Sequence, residues 1–487
     1  MDMDCKNRPI GQNIIGLLND IKTISGNSSD VMHSEFCLGG IRCVLLGCEG
    51  MYSNDFIADW RFAAEGGNLS AESLKGDGNA LLSYMNDNML LAMDTKEIKN
   101  YGELFSFIHA GFIVLAAEGA DKAMAFGAQG YSSRSVSSPS GEINITGSQE
   151  GFVEVVRVNM SMLRRRLKSP EFVMELMKKG SKSGTDICLC YMQDRVPKDL
   201  LQQIKDSLDK VDTEAVLTTG YISPFLEAQR LEIFPSTGTT ERPDVLCSKL
   251  IEGRVAVLID GIPFAIIIPR LFCESFQTLD DYSFKPVYAV FMRWLKYFAF
   301  FITILLPGFY VAISLHHPEM LNSRLLMLLV EGERNSPVAL IIEAFGVLVM
   351  YEIIREAGLR LPKAVGGAVS IVAGLIIGEA AVSSGLISTP MLTVAALSVT
   401  SGFVIPELAQ SITVLRFSFL IAGGLLGLFG IGVFGSAVLL NICATETYGF
   451  PFTSPLSPFK RKAMRDTVGR VGFRKMQKGN FTVEELR

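Results

Sequence analysis

The sequence predicts an α/β or α+β soluble N-terminal region of two subdomains, followed by an all-α transmembrane domain of about four to five helices. The first observation behind this prediction is that long apolar runs occur only in the second half of the chain. A helix needs about 20 mostly apolar residues to cross about 30 Å of hydrocarbon, and backbone groups inside a bilayer must pair within their own segment. The runs that approach or exceed this length are Tyr297–Leu315, Ala364–Leu386, Met391–Ile405 and Phe417–Cys443.

The second observation is a recurring pattern in the first half: an apolar strand, an acidic-Gly turn and a second strand. An Asp-Gly pair suits a two-residue turn with positive φ, so GRVAVLIDGIPFAIIIP is the clearest hairpin. The three segments are Ile41–Met51 around Glu49-Gly50, Gly111–Phe126 around Glu118-Gly119, and Gly253–Ile268 around Asp260-Gly261.

Helical and strand periodicities occur between these turns. Ser161–Lys179 and Leu200–Val211 place apolar residues at helical spacing, which predicts two amphipathic helices. Thr185–Met192 alternates apolar and other residues as a strand does. Strands, helices and a hairpin in this mixture are typical of an α/β or α+β region.

Changes in composition divide the chain. Residues 128–150 are rich in Ser and Gly, which predicts a linker. The N-terminus lacks the apolar segment of a signal peptide, so we expect the soluble region in the cytoplasm. The predicted divisions are an N-terminal cytoplasmic subdomain (1–127), a linker (128–150), a second cytoplasmic α/β subdomain (151–280), a transmembrane domain (281–445) and a basic C-terminal cytoplasmic tail (446–487).

Composition excludes several classes of function. A net charge of −5 does not suggest a nucleic-acid-binding protein. Nine cysteines form no CxxC pair, so we expect reduced thiols. The four histidines have no metal-ligand spacing, and no nucleophile–base grouping or phosphate loop is found. The sequence therefore predicts neither an enzyme nor a bound cofactor.

Three acidic residues lie within apolar sequence. Glu379 is in the middle of an apolar run, and Glu343 and Glu352 lie in the apolar segment Pro337–Gly358. Carboxylates at membrane depth are expensive and usually face a cavity or a partner, so all three are candidate pore or intramembrane polar residues. A structural helix contact is the other explanation, and Glu352 can form a local ion pair with Arg355.

Small residues mark candidate helix-packing positions. One helix face carries a small residue every four positions, which allows another helix backbone to approach closely. A second glycine-rich run follows in Phe417–Cys443. The candidates are Gly366, Ser370, Gly374, Gly378, Gly423 and Gly427.

Basic residues guide the predicted topology. The tail from Lys460 onward is strongly basic, which favours a cytoplasmic location. If both ends of the membrane region face the cytoplasm, the number of spans is even. We therefore expect four spans, with Pro337–Gly358 not crossing the membrane. We also expect Arg416 to extend to the membrane interface, and Arg164–Arg166 to form a solvated helix face.

Four long stretches resemble a known family. The chain resembles the A-subunit family of bacterial spore germinant receptors, the GerA family, from about residue 151 to 458. It departs from the family at TGSQ (146–149), where a basic stretch is expected, and at Glu379, where Gln is usual. The stretches are GFVEVVRVNMSMLRRRLKSP (151–170), TERPDVLCSKLIEGRVAVLIDGIPFAIIIP (240–269), REAGLRLPKAVGGAVSIVAGLIIGEAAVSSGLIS (355–388) and GLFGIGVFGSAVLLNICATETYGFPFTSPLSPF (427–459).

The resemblance implies a multi-pass protein in the inner membrane of a dormant endospore. It implies a permease-like B subunit that binds the nutrient, a lipoprotein C subunit, contact with membrane lipid, and no nucleic acid. It further implies that A subunits form a homo-oligomer that conducts ions.

Two other functions stay open at this point. A paralogue of the stage V sporulation protein AF type, which assists the dipicolinate channel, shares the same motifs. An autonomous membrane transporter would show inverted repeats and enough spans to enclose a midplane site. The identity of the neighbouring genes would distinguish the paralogue from a receptor subunit. An inverted repeat in the membrane region would favour the transporter.

Overall fold

The computed structural model describes residues 7–486 with internal gaps. The gaps are residues 56, 61–76, 89–93, 131–141, 143–146, 228–231, 335, 362–373, 375–377 and 473–481.

The first subdomain is a five-stranded antiparallel sheet with the strand order β1-β2-β4-β5-β3. Apolar residues are buried on both faces of this sheet, because helices cover it. Its elements are α1 (Ile14–Ile24), β1 (Val31–Leu38), β2 (Ile41–Cys48), α2 (Gly78–Asn88), β3 (Thr95–Ile98), α3 (Tyr101–Ile108), β4 (Phe112–Ala117) and β5 (Ala123–Gly127).

The second subdomain has a five-stranded sheet with the order β6-β7-β9-β10-β8. Numbered within its own subdomain, this is the same strand order as in the first. The order of the main helices and strands along the chain is also the same. The elements are α4 (Val156–Arg166), β6 (Phe172–Lys179), β7 (Thr185–Met192), α5 (Lys198–Asp209), β8 (Gly238–Thr240), α6 (Pro243–Ile251), β9 (Val255–Ile259) and β10 (Ala265–Ile268).

The acidic-Gly turns occupy equivalent places in the two subdomains. Glu118 accepts a hydrogen bond from the first backbone N–H of α1 (Ile14 N, 3.2 Å), and Asp260 accepts one from Val156 N of α4 (2.9 Å). The glycine after each acid donates to the carbonyl two residues before the helix start, at 2.8 and 2.7 Å. Each central hairpin therefore caps the first helix of its own subdomain, and the soluble half is an internal structural repeat.

The predicted hairpins and helices have mixed outcomes. The hairpins at Glu118-Gly119 and Asp260-Gly261 are confirmed, because these turns join β4 to β5 and β9 to β10. The turn at Glu49-Gly50 does not join two paired strands: it follows β2, which pairs with the preceding strand β1 and with β4. The predicted strand Thr185–Met192 and the helix at Leu200–Val211, observed as α5, are confirmed.

The predicted helix Ser161–Lys179 is wrong in its second half. The helix ends at Arg166, and β6 pairs with β7 along its whole length, from Phe172 with Met192 to Lys179 with Thr185. Pro170 disfavours helical conformation in the residue before it and has no N–H to donate. Pairing in the sheet therefore decides the structure of a segment whose apolar spacing also suits a helix.

A buried ion pair joins the two subdomains at the edge strand β6. Arg164 binds Asp30 through two contacts, Nε to Oδ2 at 2.6 Å and Nη2 to Oδ1 at 2.9 Å, and both side chains are 1% exposed. Backbone bonds continue the contact, since Ser29 N donates to Met174 O at 2.7 Å. Burial alone would raise the pKa of Asp30, but the Arg164 guanidinium holds it below its ordinary value.

The second half of the described chain is helical. Two segments are long and apolar enough to cross a membrane by length and composition, Pro286–His316 and Pro406–Ala444. The first continues as one helix through Pro307. The long helices are α7 (Pro286–His316), α8 (Ser323–Arg334), α9 (Leu340–Arg360), α10 (Thr389–Gly402) and α11 (Ala409–Ala444).

The last of these, α11, is a helical hairpin and not one straight rod. Gly427 has non-helical backbone angles, φ +63° and ψ −149°. In a straight helix Ser411 and Asn441 would be about 45 Å apart, yet both side chains hydrogen-bond the backbone of Ile233. The predicted single run Phe417–Cys443 therefore contains a reversal. We call Gly427 and its neighbours the tip, and the level of Ser411 and Asn441 the base.

The other helices have defined directions relative to this hairpin. The end of α7 lies at the tip, where His316 Nε2 is 2.8 Å from Gly424 O. The helix α9 starts near the tip, since a Cβ on Gly424 would meet Ile341, and its Arg355 lies 3.4 Å from Thr413 Oγ1, near the base. The helix α10 also ends towards the base, where Gly402 approaches Arg416.

The basic tail packs back on the soluble half. Arg470 is buried and donates to the carbonyls of Asp281 and, at 2.8 Å, of Phe284. Val483, also buried, donates its N–H to Glu252 O at 2.8 Å. The described part of the tail therefore closes the junction between the second subdomain and α7.

Candidate functional site: the interior and base of the helical bundle

Glu343 is buried in the bundle and faces the start of α10. Its Oε1 accepts two hydrogen bonds from Ser388, from the backbone N at 2.7 Å and from Oγ at 2.6 Å. A carboxylate in this position is favoured by the positive end of the helix dipole. Its other oxygen, Oε2, is buried and has no hydrogen-bond partner among the described residues. Glu343 therefore connects α9 to α10 through Oε1, and its Oε2 is an acceptor inside the bundle.

A second polar cluster lies nearer the base. Glu352 forms the expected local ion pair with Arg355 at 2.6 Å and accepts a hydrogen bond from Thr413 at 3.3 Å. Arg416 Nη1 lies 3.8 Å from Glu352 Oε1, the oxygen that Thr413 contacts, and its guanidinium lies 5.9 Å from the ring of Tyr351. The cluster therefore links α9 to the first arm of α11 through charge.

The predicted role of Arg416 is wrong. The residue is 2% exposed and lies inside the bundle, so it does not extend to the membrane interface. A buried charge needs a paired partner, and Glu352 supplies it on a different helix. The sequence shows the two charges but not that α9 and α11 bring them together.

The third predicted acid is placed differently. Glu379 is exposed in this single chain. Of the small-residue stripe before it, Gly366 and Ser370 lie outside the described residues. Gly374 is exposed, and a Cβ there would meet no described atom within 4 Å. The roles predicted for Glu379 and for the stripe stay predictions.

The two glycines of α11 have distinct roles. Gly423 crosses Gly308 of α7 so closely that a Cβ on Gly423 would lie 2.5 Å from the Gly308 carbonyl oxygen. Gly427 makes the reversal at the tip, and its positive φ is one that other residues rarely adopt. Gly423 therefore allows backbone contact between helices, whereas Gly427 allows the hairpin itself.

A segment of the second subdomain enters the base of the bundle. Phe234 is 2% exposed and belongs to the same buried cluster as Phe300 of α7 and Ile412 and Val438 of the two α11 arms. This contact was not predicted from the sequence. An aromatic residue at the start of a largely polar segment is the signal that could have found it.

A cavity of about 410 Å³ lies where β8 and β10 meet the segment before α11. Arg270, which follows β10, forms an ion pair with Glu407, which precedes α11. Glu142 also lines the cavity, where burial raises its pKa to about 7 although Thr240 donates to it at 2.8 Å. The junction between sheet and bundle is therefore built from charged groups.

The predicted solvated basic face at Arg164–Arg166 is also wrong. Arg164 is buried against Asp30. Arg165 and Arg166 both bind Glu150, at 2.5 and 2.6 Å. In the part of the chain that the structure describes, no group of three His, Cys, Asp or Glu side chains could hold a metal ion.

Comparison with known proteins places this architecture in a class. The family model described as Bacillus/Clostridium GerA spore germination protein matches residues 19–480. Spore germination protein KA of Bacillus subtilis (strain 168) is 34% identical over 96% of this chain and 86% of its own length. The uncharacterized membrane protein YfkQ of the same strain is 32% identical over 96% of this chain and 91% of its own length.

One solved structure is also similar. The crystal structure of the N-terminal domain of the A subunit of the Bacillus megaterium spore germinant receptor GerK3 aligns with a TM-score of 0.44 and 27% identity. The alignment covers 55% of this chain and 98% of that chain. The sequence matches define the class, a spore germination protein. The chain belongs to the GerA spore germination protein family, so the resemblance found in the sequence is confirmed.

Proposed function

We propose that this protein is the A subunit of a spore germinant receptor. In this role it acts with partner subunits to convert nutrient binding into the ion release that starts germination. The observation that carries the proposal is the family match over residues 19–480, together with a relative that covers 96% of the chain. We propose no enzymatic reaction for it.

The partners follow from the same proposal. A permease-like B subunit binds the nutrient, a lipoprotein C subunit completes the receptor, and further copies of this chain form the oligomer. The assembly resides in the inner membrane of the endospore. The two long apolar helices support a membrane location.

The helix directions support six crossings rather than four to five. The helices α7, α9 and α10 and the two arms of α11 supply five segments between base and tip. The start of α7 and the end of α11 both lie on the base side. Leu361 follows the base-side end of α9 and Ser388 precedes α10 near the tip. The predicted span Ala364–Leu386, much of which lies outside the described residues, supplies the sixth crossing in this proposal. Pro337–Gly358 then crosses, and Arg355 and Arg360 lie on the same side as the soluble half, as the distribution of basic residues favours.

This topology is tested by labelling single cysteines with a membrane-impermeant maleimide in sealed vesicles. The starting chain lacks Cys5 and the exposed Cys37 and Cys443. We expect Arg360→Cys, at the end of α9, to react from the same side as Lys460→Cys, beyond α11, and Glu319→Cys, beyond the end of α7, to react from the opposite side. Reaction of Arg360→Cys from the same side as Glu319→Cys contradicts the six-crossing topology.

The interior acids support an ion path in the oligomer. Glu343 and Glu352 lie nine positions apart in α9, and rings of carboxylates in an oligomer select cations. We expect Glu343→Gln and Glu352→Gln to change potassium release at normal protein level. Unchanged release in Glu379→Gln spores removes Glu379 from the path.

The main test is deletion of the gene in the native spore former, followed by potassium release after challenge with a panel of nutrients. Loss of the response to one nutrient class, with other triggers intact, supports the receptor role and names its stimulus. Normal early ion release with slower dipicolinate release supports the stage V sporulation protein AF type instead. The deletion is also made in spores that lack every other related receptor gene. Normal kinetics of ion release and of dipicolinate release in those spores contradict both functions.

A further inference from the structure

A short segment of the second subdomain, residues 232–237, contacts the base of the helical hairpin and leads directly into the edge strand β8. Phe234 in this segment packs edge-to-face against Phe272 of the soluble half and at a tilt against Phe300 of α7, with ring centroids 5.4 and 6.2 Å apart. Its ring is thus part of the apolar core that α7 shares with both arms of α11. We call residues 232–237 the wedge.

The wedge also holds both hairpin arms by its backbone. Ser411 Oγ of the first arm donates to Ile233 O at 2.6 Å, and Ile233 N donates to Asn441 Oδ1 of the second arm at 3.5 Å. One residue of the soluble half therefore contacts the base of each arm. A shift of the wedge must move the arms with it or break these bonds.

A second connection runs from the neighbouring strand. Strand β8 pairs with β10, with Gly238 opposite Ile267, and Arg270 just after β10 binds Glu407 just before α11. Two adjacent strands of one sheet edge are thus connected to the start of the same hairpin. Because hydrogen-bonded strands move together, this edge and the hairpin base form one mechanical unit.

The first hairpin arm carries this contact to the polar interior. Ser411 and Arg416 lie on the same arm, little more than one helical turn apart, and Arg416 lies 3.8 Å from Glu352. A small displacement of the base therefore changes the distance between these two interior charges. Packed helices respond to such shifts by moving between discrete arrangements.

We propose that the wedge is the element through which the second subdomain controls the hairpin, with Phe234 as its positioning residue. This inference rests on the proposed receptor function and specifies how that function is regulated. In the resting arrangement the wedge holds α7 and both arms of α11 together. A change in the second subdomain moves the wedge, and the arms then shift relative to α7.

The first test is a reversible lock. Ile233→Cys with Asn441→Cys, in a Cys443→Ser background, places two thiols where the native side chain already reaches the backbone. A disulfide or a short bis-thiol cross-linker then fixes the wedge to the second arm. We expect oxidised spores to lose nutrient-triggered potassium release and a reductant to restore it. Equal release from fully cross-linked and reduced spores overturns the proposal.

A matched control separates the lock from the oxidation itself. Lys179→Cys with Thr185→Cys joins two positions that are already directly paired in the β6–β7 ladder. We expect this cross-link to leave the response unchanged, because it fixes strands that do not contact the bundle. Loss of response in this control as well overturns a specific role for the wedge.

The second test removes the ring. We expect Phe234→Ala to abolish the nutrient response at normal membrane level, and Phe234→Leu, which keeps an apolar branch, to restore part of it. In the purified full-length protein, Phe234→Ala should speed amide hydrogen exchange at the base of both arms. Wild-type exchange there, or a wild-type response, overturns the proposal.

These measurements distinguish failure of the wedge from failure of the receptor role. If deletion abolishes a nutrient response but the lock and Phe234→Ala do not, the wedge proposal is wrong and the receptor role stands. If deletion affects no nutrient response, the receptor role is wrong. Hydrogen exchange in the purified protein then still decides whether the wedge controls the hairpin base.

Discussion

The two soluble subdomains have the same strand order but different neighbours. Both use an acidic-Gly hairpin to cap their first helix, through Glu118 in one and Asp260 in the other. The second sheet is connected at both of its edges. Its β6 edge meets the first subdomain through Arg164, and its β8 edge leads into the bundle through Phe234. A repeated fold therefore acquires a specific role through the contacts at its edges.

The largest effect is expected at the β6 edge. Arg164→Met leaves Asp30 buried without its partner, which should cost about 3–5 kcal/mol of unfolding free energy. The measurement is urea unfolding of the full chain in detergent, with hydrogen exchange of residues 28–30 and 172–179. Arg157→Met removes the much more exposed pair with Glu49 and should cost less than about 1 kcal/mol.

Equal losses of unfolding free energy in Arg164→Met and in the Arg157→Met control would contradict this prediction. The double variant Arg164→Met with Asp30→Leu sharpens the test, because it removes both charges. We expect it to recover much of the lost stability, since apolar replacements of buried ion pairs are often neutral.

The next effect concerns the close backbone contact between α7 and α11 in the bundle. Gly423→Ala places a methyl group 2.5 Å from the Gly308 carbonyl oxygen and should cost about 1–3 kcal/mol. Gly432→Ala, on the other arm, meets no described atom within 4 Å and should be neutral or slightly stabilising. Thermal unfolding in detergent compares the two, and equal midpoints would exclude the close crossing.

A smaller effect tests the equivalence of the two subdomains. Glu118→Ala and Asp260→Ala each remove the acceptor for the first N–H of a helix, at a cost of about 1 kcal/mol. We expect similar losses, each with faster hydrogen exchange confined to the first turn of α1 or α4. A loss of unfolding free energy in only one of the two variants would show that the caps made by Glu118 and Asp260 do not stabilise their subdomains equally.

The effect that is smallest near neutral pH, and that grows on acidification, belongs to the first subdomain. His109 follows α3 and is buried beside Arg164 and Asp30, whereas the equivalent position after α6 is Glu252. Burial, reinforced by the charge of Arg164, lowers the pKa of His109 to about 3. Between about pH 6.5 and 3 the unfolded chain binds a proton that the folded chain does not. The contribution of His109 to the free energy of unfolding should therefore fall as pH falls, by at most about 1.4 kcal/mol per pH unit. Glu142, whose pKa is raised, contributes with the opposite sign between about pH 7 and 4.5.

The measurement for His109 is the urea midpoint of the full chain between pH 6.5 and 4, a range above the ordinary pKa of Asp30. The free energy of unfolding of the wild type should fall relative to that of His109→Leu across this range, and this difference separates His109 from Glu142. A variant with the same slope as the wild type would show that other groups cause it.

Much of the soluble fold was predictable because its signals are local. The Glu118-Gly119 and Asp260-Gly261 hairpins and the helix α5 follow from turn chemistry and from one dominant period. The segment 161–179 was mispredicted because its apolar spacing suits two structures and a distant strand selects one. The repeat itself was missed, since strand order is a property of pairing between segments far apart in sequence.

The candidate site divides in the same way. The sequence by itself determined that acids lie within apolar helices, that glycines permit close packing, and that the chain resembles the GerA family. Only the tertiary structure decided that Arg416 lies beside Glu352, that Gly427 reverses a helix, and that Phe234 joins the bundle. The physical reason is that composition and periodicity report a residue's own environment preference, whereas its partner depends on where the rest of the chain packs.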